Sequence, residues 1–452
     1  MSESGDRRAR ANRREPMNAV DAAWLQMEEP VNSMTITGVL AFEERLDFDQ
    51  LRTIVQQRLV RHERFRASPV GSGSLGRPAW IHAEWVDLDY HLVRVSLPGA
   101  ADKQELQEFV SHLMATQLDL HRPLWRLYYV DNFRYGSAIV ARVHHCVGDG
   151  MSLVRVLLGL ADNGADVGSL TPQAVGRANT KTVTESTSPT SALSVATSVV
   201  ATLWRLLARR RDPATRVKGP LVVAKRCAWS QPLPLEDVKA IGKRLDATVN
   251  DVLVSAVAGA LRLYLAEKGD DLDGLRLRAV VPVNLRPLDD LDRLGNRFGL
   301  VFLPLPVGEA DPIARLETVK RRMNRIKRSP EAFVTFALLR LIGFTGPGFV
   351  SWAINLFGTK ASAVLTNVPG PREALRLAGK VVDGLMFWVP QSGHLGLGVS
   401  ILSYRGGVRV GIAGDAALLP DPEVLVEAYS RALDEWKVAA AAAAGAPSAG
   451  SS

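Results

Sequence analysis

"VHHCVGDGMS", residues 143–152, sets two adjacent histidines at the end of a β-forming run, with an Asp-Gly three residues further on. The preceding "SAIVAR" reads as a strand and the following "MSLVRVLLGLA" as a helix, so the chain turns from strand to helix at Asp149-Gly150. Successive side chains of a strand point to opposite faces. One of His144 and His145 can therefore face a cavity while the other anchors the strand, and Asp149 can reach back to hold the strand end. A rigid strand end, a fixed tautomer and a water-poor approach are what a histidine general base needs.

Other uses of the pair are weaker. Neighbours on a strand cannot easily meet at one metal ion, and no second cluster of His, Cys or carboxylates supplies missing ligands, so no metal is expected. A hydrogen-bonded core histidine is the bland alternative, and it accounts for one ring of the pair rather than for the whole string. Nucleophilic catalysis lacks its signs: there is no Gly-x-Ser-x-Gly elbow, and Cys146 reads as a buried structural thiol. Phosphate-loop and dinucleotide fingerprints are absent too. What remains is a base acting directly on a bound nucleophile.

With 47% hydrophobic and 23% charged residues, the 452-residue chain reads as a globular protein of about two domains. Its net charge of +8 favours an anionic partner. No zinc-finger spacing, aromatic-basic motif or long basic arm points to nucleic acid, leaving a membrane surface or a phosphorylated small molecule. Two distant cysteines, Cys146 and Cys227, suit a reducing cytoplasm. The Arg-rich N-terminus has no apolar core, and no uninterrupted apolar run is long enough to span a bilayer.

Patterning divides the chain into a disordered extension (1–16), a first lobe with the histidines (17–162), a linker with an apolar, Arg-ended helix (163–215), a second lobe (216–437) and a disordered tail (438–452). "MTITGVLAFE" (34–43) and "WRLYYVDN" read as strands of the first lobe, and 49–61 and 103–118 as its helices. In the second lobe, Thr248 and Asp251 predict a capping box opening a helix over 249–266. "LRLRAVVPVNLR", "RFGLVFLPLPV", "GVSILSYRGG" and "VRVGIAGD" are further strands. Segment 333–358 is strongly apolar but broken at Gly346-Pro347-Gly348; it reads as an interfacial helical hairpin or a tunnel wall. Alternating elements in both halves give an α/β class with two lobes.

The motif "HHCVGDG", together with "RPLWRLYYV", "ATVNDVLVSAVAGALRLYL", "VPVNLRP", "GNRFG" and "TNVPGP" in that order, resembles the bacterial wax ester synthase/diacylglycerol O-acyltransferase family of the CoA-dependent acyltransferase superfamily. The resemblance runs from about Met17 to Trp436. It departs from the family pattern in its longer N-terminal extension, and in "MNAVDAAWLQME", which has Asn18 where Ser-Pro is expected. It implies two chloramphenicol-acetyltransferase-like lobes with a substrate tunnel at their interface. It also implies acyl transfer from acyl-CoA, a substrate rather than a cofactor, to a long-chain alcohol or diacylglycerol without an acyl-enzyme. His145 is then the general base, His144, Asp149 and Gly150 form the motif's architecture, and Asn250 supports activity. Arg286 is a candidate partner of Asp149, and Pro123, Leu124, Trp125 and Asp251 are candidate substrate-binding positions. Insoluble products imply peripheral contact with a membrane or lipid droplet. An acyltransferase with another hydroxyl or amine acceptor, and a non-catalytic lipid-binding protein of the same fold, are the competing readings.

Overall fold

The computed structural model describes residues 13–72, 76–162, 201–286 and 294–445. In its first half, strand β1 (Arg14–Pro16) leads into helix α1 (Ala19–Gln26), whose N-cap Asn18 accepts from the Asp21 N–H. β2 (Thr35–Phe42) is followed by α2 (Phe48–Ile54), which widens into a π-helical turn over Val55–Leu59. Then come β3 (Ala67–Ser72), β4 (Gly76–His82), β5 (Leu92–Val95), α3 (Lys103–Met114), β6 (Trp125–Val130), β7 (Ser137–His144) and α4 (Gly150–Leu160).

The first expected boundary changes. Arg14–Pro16, placed in a disordered extension by composition, pairs antiparallel with β4. The linker 163–192 and the start of the 193–211 helix lie outside the described residues, while 201–207 is helical.

The second half holds β8 (Lys225–Trp229), β9 (Leu233–Pro234), α5 (Leu235–Arg244), α6 (Val249–Glu267), β10 (Leu277–Asn284), β11 (Phe298–Leu305), α7 (Pro312–Lys327), α8 (Glu331–Ile342) and α9 (Pro347–Gly358). β12 (Ala363–Pro369), a small hairpin of β13 (Arg376–Leu377) and β14 (Lys380–Val381), β15 (Gly384–Trp388), β16 (Leu397–Tyr404), β17 (Gly407–Asp415) and α10 (Pro422–Gly445) complete it. α10 runs eight residues into the expected disordered tail, because alanine, which dominates there, has the highest helix propensity of any residue type. α6 begins with the Thr248–Asp251 capping box. It is long and apolar enough to cross a membrane, but its residues are mostly buried, which makes it the core helix of the second lobe.

The two larger sheets have the orders β15-β2-β7-β6-β5 and β11-β10-β12-β16-β17-β8, with β9 also pairing β17; β1-β4-β3 and β13-β14 form two small ones. The halves are not segregated. β15, from the second half, pairs with β2 along Gly384–Trp388 and forms the edge of the first sheet. Leu339, Ile342, Val350, Leu402 and Tyr404 likewise pack into the first lobe's core beside Trp24 and Trp125. The division at 162/216 thus misses this crossing segment, since a single strand carries no sequence mark of which sheet it will join.

Candidate active site

β7 ends at His144 and is held from both sides: the His144 N–H donates to the Leu124 carbonyl (2.9 Å) and the His145 N–H to the Met34 carbonyl (2.7 Å). His144 turns away from the cavity side. Its Nδ1 accepts from the Cys146 N–H, which leaves Nε2–H to donate to Glu28 (3.2 Å). Burial alone would raise the Glu28 carboxyl, but hydrogen bonds from His144 and the Met34 N–H hold it below its ordinary range. His144 is a buried anchor. Cys146 is fully buried, and burial pushes its thiol well above the ordinary value.

His145 is positioned by groups from both halves of the chain. Its Nδ1 lies 2.9 Å from Asn296 Oδ1. The Asn296 amide has one orientation, because its Nδ2 donates both to the His145 carbonyl (2.7 Å) and to Asp21 Oδ1 (2.9 Å). Oδ1 therefore faces His145 as an acceptor, Nδ1 carries the proton, and Nε2 is left as the basic atom. Trp24 stacks on the imidazole at 4.1 Å and 11°, and Phe298 lies tilted beside both rings, 5.5 Å from the imidazole. Burial lowers the His145 pKa to about 4, against the opposing pull of Asp149 and Asn296, so the ring is neutral at neutral pH. Asp21 is fully buried, with Arg64 3.8 Å away, and burial raises its pKa to about 6.

Asp149 is the N-cap of α4, accepting from the Ser152 N–H at 2.9 Å. Its other oxygen lies 3.0 Å from Arg286 Nη2 and accepts from the Arg297 N–H at 3.2 Å. The same Arg286 nitrogen donates to the Gly295 carbonyl. The motif's turn is thus bonded to the segment that carries Asn296. Gly150 opens α4, and no left-handed backbone requires a glycine there; a Cβ would meet nothing within 4 Å. What it keeps open is a cavity.

That cavity encloses about 940 Å³, including its open mouth, between one face of the first sheet and α4. Ile36, Gly38 and Leu40 of β2, Ala141 and Val143 of β7, Leu127 of β6, and Gly150, Val154 and Leu158 of α4 line it, and the lining is almost wholly apolar. Val143 and Gly150 bracket His145 in the chain, so the cavity ends beside the histidine motif. Trp125 also lines it, with its Nε1–H donating to the Phe65 carbonyl (2.8 Å) and its ring stacked on His91. Leu124 is buried and holds β7 through its carbonyl, and Pro123 is half-buried.

The structure does not bring every expected residue to the histidines. Asn250 Oδ1 accepts from Asn367 of "TNVPGP" at 3.0 Å, and its buried Nδ2 has no hydrogen-bond partner. Asp251, expected to bind substrate, closes the capping box through hydrogen bonds from the Thr248 N–H and hydroxyl, a helix-end role. Conversely, Asp21, Trp24, Glu28, Asn296 and Phe298 have no expected role. All five sit in "MNAVDAAWLQME" or "GNRFG", so the stretches were visible but the long-range pairing was not.

Residues 17–253 match the wax ester synthase/diacylglycerol acyltransferase catalytic domain, and residues 294–437 the WS/DGAT C-terminal domain. The chain belongs to the wax ester synthase/diacylglycerol acyltransferase family. A probable diacylglycerol O-acyltransferase of Mycobacterium tuberculosis is 29% identical over 90% of this chain and 92% of its own length. The wax ester synthase/diacylglycerol acyltransferase of Marinobacter aquaeolei VT8 superposes with a TM-score of 0.68 at 22% identity, over 94% of this chain and 100% of that one. The fold is shared more widely. A trichothecene 15-O-acetyltransferase of Fusarium sporotrichioides superposes with a TM-score of 0.65 at 12% identity, over 94% of this chain and 95% of that one. Family membership makes this chain an acyl-CoA-dependent O-acyltransferase whose acceptor is a long-chain alcohol or a diacylglycerol.

Proposed function

We propose that His145 Nε2 is the general base of this acyl transfer. It removes the proton of the acceptor hydroxyl as that oxygen attacks the thioester carbonyl of acyl-CoA. The tetrahedral oxyanion collapses, the C–S bond breaks, and the CoA thiolate takes the proton back from the imidazolium, so no acyl-enzyme forms. The observation that carries this reading is the Asn296–His145 pair, which leaves Nε2 as the ring's acceptor. A neutral imidazole accepts the proton, and the Asp149 carboxylate favours the imidazolium while it lasts. The apolar cavity suits a fatty chain bound in extended form. Asp149, Arg286, Leu124 and His144 hold the motif in place, and Gly150 and Trp125 shape the cavity. The enzyme works at a membrane or lipid-droplet surface, from which an insoluble acceptor can be drawn.

Thiol release from palmitoyl-CoA by the purified chain, with hexadecanol or dioleoylglycerol and with chromatographic identification of products, tests the scheme. Wild type should form ester in an acceptor-dependent way, and His145→Ala should be slower by about 10²–10⁴-fold while remaining folded. Normal ester formation by the folded variant would remove His145 from the role of base.

A further inference from the structure

We propose that the α8–α9 hairpin and the 201–207 helix form one face that docks on an anionic phospholipid surface; this rests on, and gives a location to, the membrane contact proposed above. Leu341, Phe344, Phe349 and Trp352, at and beside the hairpin tip, are 63%, 55%, 50% and 58% exposed, and Trp204 on the neighbouring helix is 71% exposed. Large apolar side chains gathered at one tip mark a contact surface. The two elements share one apolar cluster, to which Leu203 and Leu206 of the helix and Val334, Leu338 and Phe357 of the hairpin belong. Lys360 donates to the Leu206 and Leu207 carbonyls, and Asp212 is bound by Arg278 and Ser362, so the helix is fastened with Trp204 outward.

Charge selects the partner. Residues 201–211 and 333–358 contain no Asp or Glu, yet include Arg205, Arg209, Arg210, Arg211 and Arg340. Arg210, Arg211 and Arg340 are exposed, and Arg77 stacks on Phe344 at 4.7 Å. Aromatic side chains that enter the headgroup boundary, with arginines at their rim, match a surface of acyl chains beneath phosphates. The face also adjoins the chemistry. Gly343, just after α8, lies so close to Ala19 of α1 that a Cβ would be 1.6 Å from the Ala19 carbonyl oxygen, and α1 carries Trp24 onto His145. Ser351 of α9 donates to Glu29, immediately beyond α1. Docking by this face brings the lipid surface to the side of the molecule where the catalytic histidine is held.

The test is flotation of the full chain with vesicles of phosphatidylcholine alone or mixed with phosphatidylglycerol, alongside two assays of turnover. Wild type should float with the mixed vesicles and lose binding as salt rises. Phe344→Glu/Trp352→Glu should lower that binding at least about tenfold, and Arg210→Glu/Arg211→Glu by about fivefold per arginine on the mixed vesicles only. Ester formation from octanoyl-CoA and hexanol in solution should be unchanged in these variants, whereas turnover of dioleoylglycerol held in vesicles should fall with binding. Trp204→Glu, on a separate helix, gives the same reading should the hairpin variant misfold. The proposal is overturned by variants that float like wild type, by wild type that floats with neither vesicle, or by folded variants that lose hexanol turnover equally. It is also overturned by a wild-type dimer that the hairpin variant dissociates, which would make a second copy the occupant. Failure of the acyl-transfer reading would appear separately, as no hexyl ester from wild type, because flotation is read without turnover.

Discussion

Asn296 does two things for His145: it fixes which nitrogen carries the proton, and through Asp21 it ties the ring to α1. Asn296→Ala would leave the Nδ1 proton without its acceptor and free the ring to rotate. The expected result is a fall in kcat of about 10²-fold with little change in KM for acyl-CoA, read by steady-state kinetics; a pure KM effect would show that Asn296 serves binding instead. The buried ring also fixes the acid limb. In the proposed role the unprotonated ring is the active form, so kcat/KM should hold level as pH falls and then drop near pH 4; a midpoint near the ordinary histidine value of about 6.5 would refute the buried, neutral base. The same groups act on stability with opposite signs. His145, lowered, binds fewer protons folded than unfolded, so its contribution is lost as pH falls from about 6.5 to 4. Asp21, raised, binds more protons folded, so its contribution is lost as pH rises through about 6. The stability advantage of wild type over Asp21→Asn should therefore shrink by about 3 kcal/mol between acid and neutral pH, measured by denaturant titration.

At the level of elements, α4 is set by the motif that precedes it. Asp149 caps the helix, and Arg286 clamps that cap to the second lobe with both side chains buried. Arg286→Ala would strand a buried carboxylate and should cost about 3–5 kcal/mol of stability in urea unfolding; a loss below about 1 kcal/mol would show that the pair is not the clamp. The helix in turn roofs the apolar cavity whose floor is β2, β7 and β6. Gly38 lies in that floor with only a 3.7 Å contact awaiting a Cβ, so Gly38→Leu should fit while filling chain-binding space. Turnover of palmitoyl-CoA should fall about tenfold relative to octanoyl-CoA; an acyl-chain-length profile identical to that of wild type would place the acyl chain elsewhere. These elements were legible because period-two and period-3.6 patterns are local: β2, β7, α3 and α6 fall where the apolar spacing puts them. The motif's strand-to-helix turn was legible for the same reason. Asn296 and Asp21 were not, since a hydrogen bond across 275 residues leaves no trace in either segment's pattern.

On the scale of the whole molecule, the site exists only where the halves meet. His145, Trp24 and Asp149 come from the first half; Asn296, Phe298 and Arg286 come from the second. Sequence spacing showed two lobes but not the strand β15 and the helical hairpin that cross from one to the other, because exchange between sheets depends on tertiary packing alone. The hairpin's close approach to α1 requires Gly343. At Gly343 any side chain would drive into the Ala19 carbonyl, backbone against backbone, with no flexible group able to give way. Gly343→Ala must therefore push α8 and α1 apart, at an expected cost of about 2 kcal/mol or more by thermal or denaturant unfolding. The displacement falls on the helix that carries Asp21 and Trp24, so the fraction that remains folded should also turn over more slowly, with hexanol in solution as well as with diacylglycerol in vesicles. That pattern is opposite to the one expected of Phe344→Glu/Trp352→Glu, which alters the outer face and leaves the helix contact in place. A folded Gly343→Ala enzyme with wild-type stability and turnover would mean that α1 does not depend on the hairpin for its position, and that the second lobe reaches the histidine through Asn296 and Arg286 alone.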